Sequence, residues 1–256
     1  MAKTAIVTGS GQGIGAAIAL RLAKEGYNVA VHCRTPESCA QKGEPVAEQC
    51  RSFGVEAQCF AADVSDFAAC ETLVKEVKER FGSIDLLVNN AGLAAGLEHI
   101  DLGDTRDWDA MIDTNVKGLL YVTRVIAPKM VAAGRGHIFN IGSIAGTEAY
   151  ENGAVYCASK HAVHAISQSM RADLLSAGIK VTEIRPGMVE TEFSEVRFHG
   201  DKKRADAVYD GVEPLTGADI AEAIAWAAQL PAHINVNDMV LMPSQQACQY
   251  YVHRKS

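Results

Sequence analysis

The sequence has no hydrophobic run long enough to cross a membrane and no excess of positive charge. No stretch reaches the about 18 consecutive apolar residues of a membrane-spanning helix, so we expect no membrane partner. Lysine and arginine number 24 against 31 aspartate and glutamate residues, a formal net charge of −7. Because phosphate backbones are bound by clustered basic side chains, nucleic acid is not expected as a partner. The one tight basic run, Lys202-Lys203-Arg204, is interpreted as a solvated surface.

The cysteines lack the pattern of a metal or disulfide protein. There are seven of them, an odd number, and no pair has C-x-x-C spacing. We therefore expect neither a metal cluster nor a disulfide framework, but free thiols, buried or half-buried, in a reducing compartment. The chain begins with an apolar strand and a glycine-rich turn, so we expect no signal peptide and a cytoplasmic location.

Short apolar runs alternate with segments of helical periodicity along the 256 residues. The apolar runs are Thr4–Thr8, Asn28–His32, Ala57–Ala61, Asp85–Val88, His137–Ile141, Lys180–Ile184 and Asp238–Met242. The helical segments are Ile14–Glu25, Val46–Phe53, Phe67–Phe81, Trp108–Ala133, Ala154–Ser176 and Asp219–Gln229. This alternation predicts an α/β fold, a single doubly wound Rossmann-type domain over residues 1–256. Its parallel sheet would have about seven strands, with helices on both faces.

Residues 191–216 interrupt the alternation, since they are polar and charged and contain no clear strand. A long segment of this kind after a strand is typical of a lid or binding loop. Ligands of open α/β sheets bind at the carboxyl ends of the strands. We therefore predict that this segment covers a substrate.

A glycine-rich turn follows the first predicted strand and leads directly into a helix, in the run Thr8-Gly9-Ser10-Gly11-Gln12-Gly13-Ile14-Gly15. Glycines let the backbone approach a pyrophosphate, and the helix N-terminus supplies free N–H groups. The alternative is a tight strand-to-helix turn without a ligand. The position in the first βα unit favours a dinucleotide site.

The tip of the second predicted strand bears on which dinucleotide is bound. An NAD site usually has an acidic residue there for the ribose 2′-hydroxyl, but the run Val31-His32-Cys33-Arg34-Thr35 has no acid before Glu37. Arg34 and Thr35 are suited to a 2′-phosphate, which favours NADP, unless Arg34 is only a surface residue. Gln12 stands in the turn where a second basic residue would strengthen the prediction.

Two further strand ends carry candidate cofactor residues. Asp63 follows the third strand, where it can accept a hydrogen bond from an adenine amino group or cap the helix that starts near Asp66. The run Asn89-Asn90-Ala91-Gly92 ends the fourth strand. Its amides can link neighbouring strand ends, and its small residues leave room for a ribose.

The best candidates for catalysis follow the fifth strand. Tyr156 and Lys160 have the i, i+4 spacing that places both on one helical face. A nearby ammonium and an oxidised nicotinamide both favour the phenolate, and together they should lower the tyrosine pKa towards neutrality. Ser143 can hydrogen-bond the substrate oxygen, and Asn115 can hold a water that relays protons to Lys160.

Taken together, these motifs resemble the short-chain dehydrogenase/reductase family over essentially the whole chain. The resemblance implies that Asn115, Ser143, Tyr156 and Lys160 form a catalytic tetrad, with Tyr156 as general acid/base, hydride transfer at C4 of the nicotinamide, and no metal. It further implies a cofactor site made of Gly9, Ser10, Gln12, Gly13, Ile14, Gly15, Arg34, Thr35, Asp63, Val64, Asn90, Ala91, Gly92, Tyr156, Lys160, Pro186, Gly187, Val189 and Thr191.

The two halves of the chain resemble different relatives. The first half is similar to 3-oxoacyl-[acyl-carrier-protein] reductases. The second half, including the runs 142–150, 190–201 and 231–237, is similar to NADP-dependent 3-hydroxy acid dehydrogenases, which also oxidise L-allo-threonine and serine. We give more weight to the second half because it contains the predicted substrate loop. The net charge of −7 also fits poorly with docking of an acidic carrier protein.

A small 3-hydroxy acid needs a cation for its carboxylate, and an arginine serves best. Arg185 and Arg197 are the candidates, unless both form structural ion pairs. We predict that Ser143, Tyr156 and Arg197 contact the substrate.

Three functions are compatible with the residues. The first is an NADP-dependent oxidoreductase of a small 3-hydroxy acid, and the second is an acyl-carrier-protein reductase of fatty acid synthesis. The third is an NADP(H)-sensing protein without turnover, against which the complete tetrad argues. The helical segments Trp108–Ala133 and Ala154–Ser176 are apolar on more than one face, so we expect a homotetramer or homodimer. The C-terminal residues 244–256 either pack on a neighbouring subunit or form a frayed tail.

Overall fold

The fold is a parallel seven-stranded sheet with helices on both faces. The computed structural model describes residues 2–255. The strands are β1 (Thr4–Val7), β2 (Asn28–Cys33), β3 (Ala57–Ala61), β4 (Leu86–Asn89), β5 (Gly136–Ile141), β6 (Ile179–Pro186) and β7 (Asp238–Leu241). Their order in the sheet is β3-β2-β1-β4-β5-β6-β7, and every pairing is parallel. The chain reverses its direction of travel between β1 and β4, so the predicted doubly wound fold is confirmed.

The sheet is covered on both faces, which is why its strands are almost continuously apolar. In β1, Ala5 and Val7 point into one hydrophobic cluster and Ile6 into the other. The first cluster is completed by helices near the chain ends and the second by helices from the middle of the chain. Helices that flank a sheet in this way leave its carboxyl edge open for ligands.

The helices alternate with the strands as predicted. They are α1 (Gly13–Lys24), α2 (Pro36–Ser38), α3 (Glu44–Arg51), α4 (Phe67–Phe81), α5 (Thr105–Ile112), α6 (Leu119–Ala133), α7 (Ala154–Leu174), α8 (Phe193–Arg197), α9 (Lys202–Ala207) and α10 (Gly217–Gln229). Helices α1, α3 and α10 pack on one face and α4, α6 and α7 on the other. Within residues 2–255, no helix is long and apolar enough to span a bilayer.

The predicted helix Trp108–Ala133 is interrupted. A π-helical turn, Asp113–Gly118, joins α5 to α6 and carries the buried Asn115. A π turn contains one extra residue and rotates the following helix face. The predicted segment is apolar on more than one face, so this rotation leaves no clear break in its pattern. Sequence periodicity therefore does not reveal it.

Residues 191–216 contain more regular structure than their polar sequence indicates. The short helices α8 and α9 lie there, and Phe198 and Ala205 are buried. A parallel bridge between Val189 and Leu215 closes the segment at its base. The segment thus packs beside the carboxyl end of β6.

The prediction that the cysteines are free thiols is wrong for two of them. Cys39 and Cys59 form a disulfide with their Cα atoms 5.9 Å apart. Cys33, Cys50, Cys70, Cys157 and Cys248 are free. The pair has a sequence separation of 20, and only the pairing of β2 with β3 brings the two segments together. No short-range motif encodes that contact.

Candidate active site

A single cleft of about 540 Å³ runs along the carboxyl edge of the sheet. It is lined at one end by the glycine turn after β1 and at the other by Ser143, Tyr156 and Lys160. The strands β1, β4, β5 and β6 all end at this cleft. The predicted dinucleotide turn and the predicted catalytic residues therefore share one opening.

The glycine turn fits a pyrophosphate group. Helix α1 begins at Gly13 without a side-chain cap and without an acidic residue in its first turn, so its N–H groups and its positive dipole end are unopposed. Gly9 and Gly13 have φ values of +63° and +55°, a region that favours glycine. A Cβ on Gly15 would lie 2.4 Å from the carbonyl oxygen of Gly9. Backbone rather than side chains forms this surface, as close approach of a phosphate requires.

Not every predicted residue of the turn faces the cleft. The buried Ser10 hydroxyl donates to the Val7 carbonyl at 2.7 Å and accepts from the His32 N–H at 2.9 Å. It therefore holds the turn together. The cleft is lined by Gly9, Gln12, Gly13, Ile14 and Gly15.

His32 is a structural residue that the sequence did not single out. Its Nδ1 accepts from the Gly9 N–H at 3.0 Å, and its Nε2 donates to the Ala62 carbonyl at 2.9 Å. Burial lowers the pKa of His32 to about 4, so the ring is neutral near pH 7 and keeps this donor and acceptor arrangement. His32 thus fixes the glycine turn against β2 and the end of β3.

Two cations lie near the end of β2, whereas the sequence analysis named only Arg34 there. Arg34 is exposed beside Asp63, whose pKa its charge helps to lower. Lys42, which the sequence analysis missed, donates to the side chain of Gln12 across the glycine turn. Gln12 itself is not basic, but the fold brings a basic residue to it. We call Arg34, Thr35 and Lys42 the phosphate corner.

Thr35 has a clear local role. It is the N-cap of α2: its hydroxyl accepts from the Ser38 N–H at 3.2 Å, and the Ser38 hydroxyl oxygen accepts from the Thr35 N–H at 3.0 Å. This capping box turns the chain sharply after β2. It holds the phosphate corner at the sheet edge.

Asp63 does not cap the following helix, because Asp66 does so by accepting from the Ala68 N–H at 2.9 Å. Burial alone would raise the pKa of Asp63, but hydrogen bonds from Ser65 hold it below its usual value. Val64 is buried against Gly118. Asp63 and Val64 flank the cleft without lining it.

Asn90 joins two strand ends. Its Nδ2 donates to the carbonyls of Thr8 and Gly9 at 2.9 and 3.1 Å, while the Thr8 hydroxyl accepts from the Asn90 and Ala91 N–H groups. Ala91 and Gly92 line the cleft beside it. The amide that the sequence placed at the cofactor therefore also fixes the glycine turn relative to β4.

Asn115 is locked in place by the loop after β4. Its Oδ1 accepts from the Leu93 N–H and its Nδ2 donates to the Leu93 carbonyl, both at 2.8 Å. A further hydrogen bond of 3.0 Å runs from Nδ2 to the Ser159 hydroxyl. The side chain is thus occupied, and it holds the π turn against α7, which carries Tyr156 and Lys160.

Tyr156 and Lys160 lie on the same face of α7, as their spacing predicted. The Lys160 Nζ is 5.9 Å from the centre of the Tyr156 ring and donates to the Ile141 carbonyl at 2.8 Å. Burial lowers the pKa of Lys160 to about 8, opposed by the negative charge of Glu183. Lys160 is therefore an ammonium that titrates close to physiological pH.

The charges of the protein alone do not lower the pKa of Tyr156. Burial raises it, and the main opposing influences are the charge of Arg197 and a hydrogen bond with Ser143. The Ser143 Oγ accepts from the Ala145 N–H at 3.1 Å, which leaves its hydroxyl hydrogen for a partner in the cleft. In this structure desolvation outweighs the nearby cations, so the phenol is protonated at neutral pH.

The guanidinium of Arg197 lies close to Tyr156 in the cleft. Its guanidinium carbon lies 4.9 Å from the centre of the Tyr156 ring, and its Nη2 donates to the Tyr150 hydroxyl at 2.8 Å. Its Nε is buried without a hydrogen-bond partner, and among residues 2–255 no carboxylate lies within 4.0 Å of it. The alternative of a structural ion pair is therefore not found for Arg197. Arg185, by contrast, lies 3.9 Å from Asp238 and outside the cleft.

The chain after β6 forms the wall opposite the glycine turn. Pro186, Gly187, Val189 and Thr191 line the cleft there. The Val189 carbonyl accepts from the Tyr209 hydroxyl at 2.9 Å, which ties this wall to the segment 191–216.

The comparisons with known proteins agree with this geometry. A family model described as short chain dehydrogenase matches residues 3–202. The NADP-dependent 3-hydroxy acid dehydrogenase YdfG of Salmonella typhi is 43% identical over 243 residues, which cover 94% of this chain and 95% of the relative. Sulfoacetaldehyde reductase 2 of Chromohalobacter salexigens is 39% identical over 248 residues, or 96% of each chain.

Solved structures also match this chain over nearly its whole length. The closed form of a serine dehydrogenase complexed with NADP⁺ has a TM-score of 0.89 and 39% identity, covering 98% of this chain and 100% of that one. The serine dehydrogenase of Escherichia coli has a TM-score of 0.79 and 35% identity, covering 95% and 99%. The chain belongs to the short-chain dehydrogenase family.

In this short-chain dehydrogenase, the C-terminal segment contributes residues that the sequence analysis missed. Gln246, Gln249, Val252 and Arg254 line the cleft. The Gln246 Oε1 accepts from the Met188 N–H at 2.8 Å. The segment packs against its own subunit and is not a frayed tail. Ser256 lies outside the described residues. Its polar sequence carries no periodicity, so only the tertiary contacts place it.

Proposed function

We propose that this short-chain dehydrogenase transfers a hydride between NADP(H) and a small 3-hydroxy acid of the serine, L-allo-threonine or 3-hydroxypropionate type. The observation that carries the proposal is the guanidinium of Arg197, 4.9 Å from the Tyr156 ring in the same cleft. It gives the acid/base residue a neighbouring cation suited to a carboxylate. The names of the relatives and of the solved structures agree with this cofactor and this substrate class.

The cofactor's position follows from the chain's own donors. The N–H groups of Gly13, Ile14 and Gly15 would bind the pyrophosphate. Arg34 and Lys42 would bind the 2′-phosphate, with Thr35 adding a hydroxyl. When bound, NADP⁺ accepts a hydride at C4 of its nicotinamide ring.

The remaining predicted contacts divide along the cleft. Ala91 and Gly92 would leave room for a ribose, and the Asp63 carboxylate would accept from the adenine amino group, with Val64 beside it. Lys160 would hold the nicotinamide ribose. Pro186, Gly187, Val189 and Thr191 would border the carboxamide.

Tyr156 acts as the general acid/base. In the oxidation direction it removes the hydroxyl proton of the substrate, and in the reduction direction it returns that proton to the carbonyl oxygen. Ser143 donates to the same oxygen, where negative charge develops. Lys160 stabilises the phenolate, and Asn115 keeps the π turn positioned for a water that exchanges protons with Lys160.

Arg197 determines which substrates fit. A guanidinium can hold one carboxylate with two parallel N–H donors, an arrangement that an ammonium cannot match. A carboxylate bound there would lie beside Tyr156 and leave the 3-hydroxyl as the group that reaches the tyrosine oxygen. Residues 191–216, which carry Arg197, would act as the lid of a single domain over residues 1–256.

The assembly and location of the protein are part of the proposal. Leu120 and Val131 on α6 are 41% and 44% exposed, so this helix offers an apolar surface to a second subunit. A homotetramer or homodimer fits that surface. A cytoplasmic location fits the five free cysteines.

The proposal is tested by following NADP⁺ reduction with L-serine, L-allo-threonine and 3-hydroxypropionate. NADPH oxidation with an acetoacetyl thioester runs beside it. We expect turnover of at least one hydroxy acid and weak or no turnover of the thioester. A preference for the thioester would identify an acyl-carrier-type reductase, and NADPH binding without any turnover would identify a sensor.

A further inference from the structure

Three cysteines meet beside the phosphate corner. The sulfur atoms of Cys33, Cys39 and Cys59 all lie within 4.8 Å of one another. Cys33 ends β2, Cys39 begins the π-helical turn Cys39–Gly43, and Cys59 lies in β3. Cys39 and Cys59 form the disulfide, while Cys33 is a free, buried thiol.

This three-cysteine cluster packs directly against the glycine turn. A Cβ on Gly11 would lie 2.6 Å from the Cys33 sulfur. A Cβ on Gly43 would lie 2.2 Å from the Cys59 sulfur and 2.9 Å from that of Cys33. Side chains are therefore excluded at both positions. The Cys33 sulfur lies beside Gly11 of the glycine turn, and the Cys59 sulfur lies beside Gly43 in the segment that carries Lys42.

The third thiol, Cys33, lies beside polar neighbours. Burial holds the pKa of Cys33 above its ordinary value, although a hydrogen bond with Ser38, the charge of Lys42 and the backbone of Gly11 reduce that rise. Ser38 and Lys42 are the same residues that shape the phosphate corner. Cys39 and Cys59 are half-buried, whereas Cys33 is buried, so the disulfide is the part of the cluster nearer to solvent.

We propose that Cys33, Cys39 and Cys59 form a thiol–disulfide modification site that adjusts the affinity of the phosphate corner for NADP(H). The inference rests on the proposed position of the 2′-phosphate at Arg34, Thr35 and Lys42. Its ligands are low-molecular-weight thiols and disulfides of the glutathione class. With the disulfide closed, residues 35–43 are fastened to β3; with it open, they are held only by the Thr35 capping box and their packing.

The chemistry balances as ordinary exchange. An external thiolate attacks the Cys39 sulfur, the bond to Cys59 breaks, and Cys59 leaves as a thiolate that takes a proton from water. A second thiolate attacks the external sulfur of the mixed disulfide, which releases the external disulfide and leaves Cys39 reduced. The external thiols lose two electrons and the protein disulfide gains them, and oxidation by the external disulfide is the reverse.

Cys33 supplies an internal route. Its thiolate attacks the Cys59 sulfur, forms a Cys33–Cys59 bond and releases Cys39 as a thiolate, which takes up the proton that Cys33 lost. No external oxidant or reductant is consumed. This exchange frees residues 35–43 from β3 while it keeps one disulfide in the cluster.

The experiment equilibrates the whole protein in metal-free glutathione buffers from fully reduced to fully oxidised. Free thiols are alkylated, linked peptides are identified by mass spectrometry, and the Kd for NADPH and NADH is measured by fluorescence on the same samples. We expect the Cys39–Cys59 peptide in oxidised buffer and an NADPH Kd about threefold weaker on reduction, as when the binding-competent conformation falls to about a third of the population. The NADH Kd should stay within about twofold, because NADH lacks the 2′-phosphate.

Three variants make the result specific. Cys39→Ser should lose the redox response of the NADPH Kd, whereas Cys33→Ser should keep it and lose only the Cys33–Cys59 peptide. Cys248→Ser, remote from the cluster, should behave as the wild type does. Arg34→Ala tests the 2′-phosphate position separately, since its outcome does not alter which thiols are alkylated.

Any of three results overturns the proposal. The seven cysteines could all remain alkylatable in the oxidised buffer. The Cys39–Cys59 link could form with no change in the NADPH Kd. Alternatively, when Zn²⁺ or Cd²⁺ is added to a parallel sample of the reduced protein, one ion could bind and protect all three thiols from oxidation, which would make the cluster a soft-metal site instead.

Discussion

The reacting end of the cleft and the phosphate corner are built in opposite ways. At the reacting end, Tyr156 and Lys160 project from one long helix, and Lys160 is buried and bonded to the Ile141 carbonyl. At the phosphate corner, which lies outside the lining of the cleft, Arg34 and Lys42 are exposed and come from separate turns. The end proposed to transfer protons is thus largely buried, while the corner proposed to bind an anion is open and relies on charges that water partly screens. Substitutions at the two ends should therefore differ in size and in the kinetic parameter they change.

The largest effect is expected at Tyr156. Tyr156→Phe removes the proton that the proposed mechanism transfers and should lower kcat by about 10³-fold. The Kd for NADPH should change by less than about twofold, because this end contributes little to anion binding. Steady-state kinetics with 3-hydroxypropionate and a fluorescence titration measure the two quantities.

Tyr121→Phe is the matched control, since Tyr121 lies on α6, packs its ring against Phe67 of α4 and does not line the cleft. It should retain wild-type kcat. A Tyr156→Phe enzyme with substantial activity would mean that another group carries the proton.

At Arg34 we expect a smaller effect, and we expect it on NADPH binding rather than on kcat. Arg34→Ala should weaken NADPH binding about tenfold, the lower end of the range for a hydrogen bond to a charged group, because the site is exposed. NADH binding and kcat should be nearly unchanged. Arg106→Ala, another exposed arginine, serves as the control, and equal losses for NADPH and NADH would remove Arg34 from the 2′-phosphate site.

Lys42 is the second cation of the phosphate corner, and the sequence analysis did not identify it. Lys42→Gln should weaken NADPH binding about threefold and leave NADH binding unchanged. The effect should also shrink at high salt, as screening predicts for an exposed charge. The measurement is the NADPH Kd at two salt concentrations, with the exposed Lys75→Gln as control. An effect that is identical for NADH would place Lys42 in the packing of the turn instead.

The smallest effect at neutral pH concerns the buried histidines. Burial lowers the pKa of His32 to about 4, and burial together with the charge of Lys180 lowers that of His137 to about 3. The unfolded chain, with a histidine pKa of about 6.5, binds more protons below that pH than the folded chain does. The free energy of unfolding should therefore fall as the pH drops below about 6.5, by about 3 kcal/mol for His32 at pH 4.

Urea unfolding at about pH 7 and about pH 5 checks this prediction. His137→Asn should reduce the pH dependence without altering the cleft, because His137 lies within the sheet and bonds only to Thr182. A variant with an unchanged slope would show that His137 is protonated in the folded state.

The features that the sequence predicted correctly depend on interactions between residues that are close together in the chain. The glycine turn, the Tyr156–Lys160 spacing and the alternating strands are local patterns, and each was located from a few neighbouring residues. Lys42 reaches Gln12 over 30 residues, Gln246 reaches Met188 over 58, and Cys39 meets Cys59 only because β2 pairs with β3. Contacts between such distant residues leave no periodic pattern in the sequence.

The same reasoning applies to the charges around Tyr156. The sequence shows that an ammonium is one helical turn away, but it does not show how deeply the phenol is buried. In the structure desolvation prevails and raises the pKa of Tyr156, and Arg197 rather than Lys160 is the main opposing charge. Electrostatics depends on burial, which is a property of the fold.

The central claim is that Arg197 holds a carboxylate beside Tyr156. The most direct measurement compares kcat/KM for 3-hydroxypropionate and for its amide, in the wild type and in Arg197→Ala. The account predicts that the wild type prefers the acid by about 30-fold or more, as expected for a charge-assisted hydrogen bond, and that the variant loses most of this preference. An acid-to-amide ratio that is the same in both proteins would contradict it.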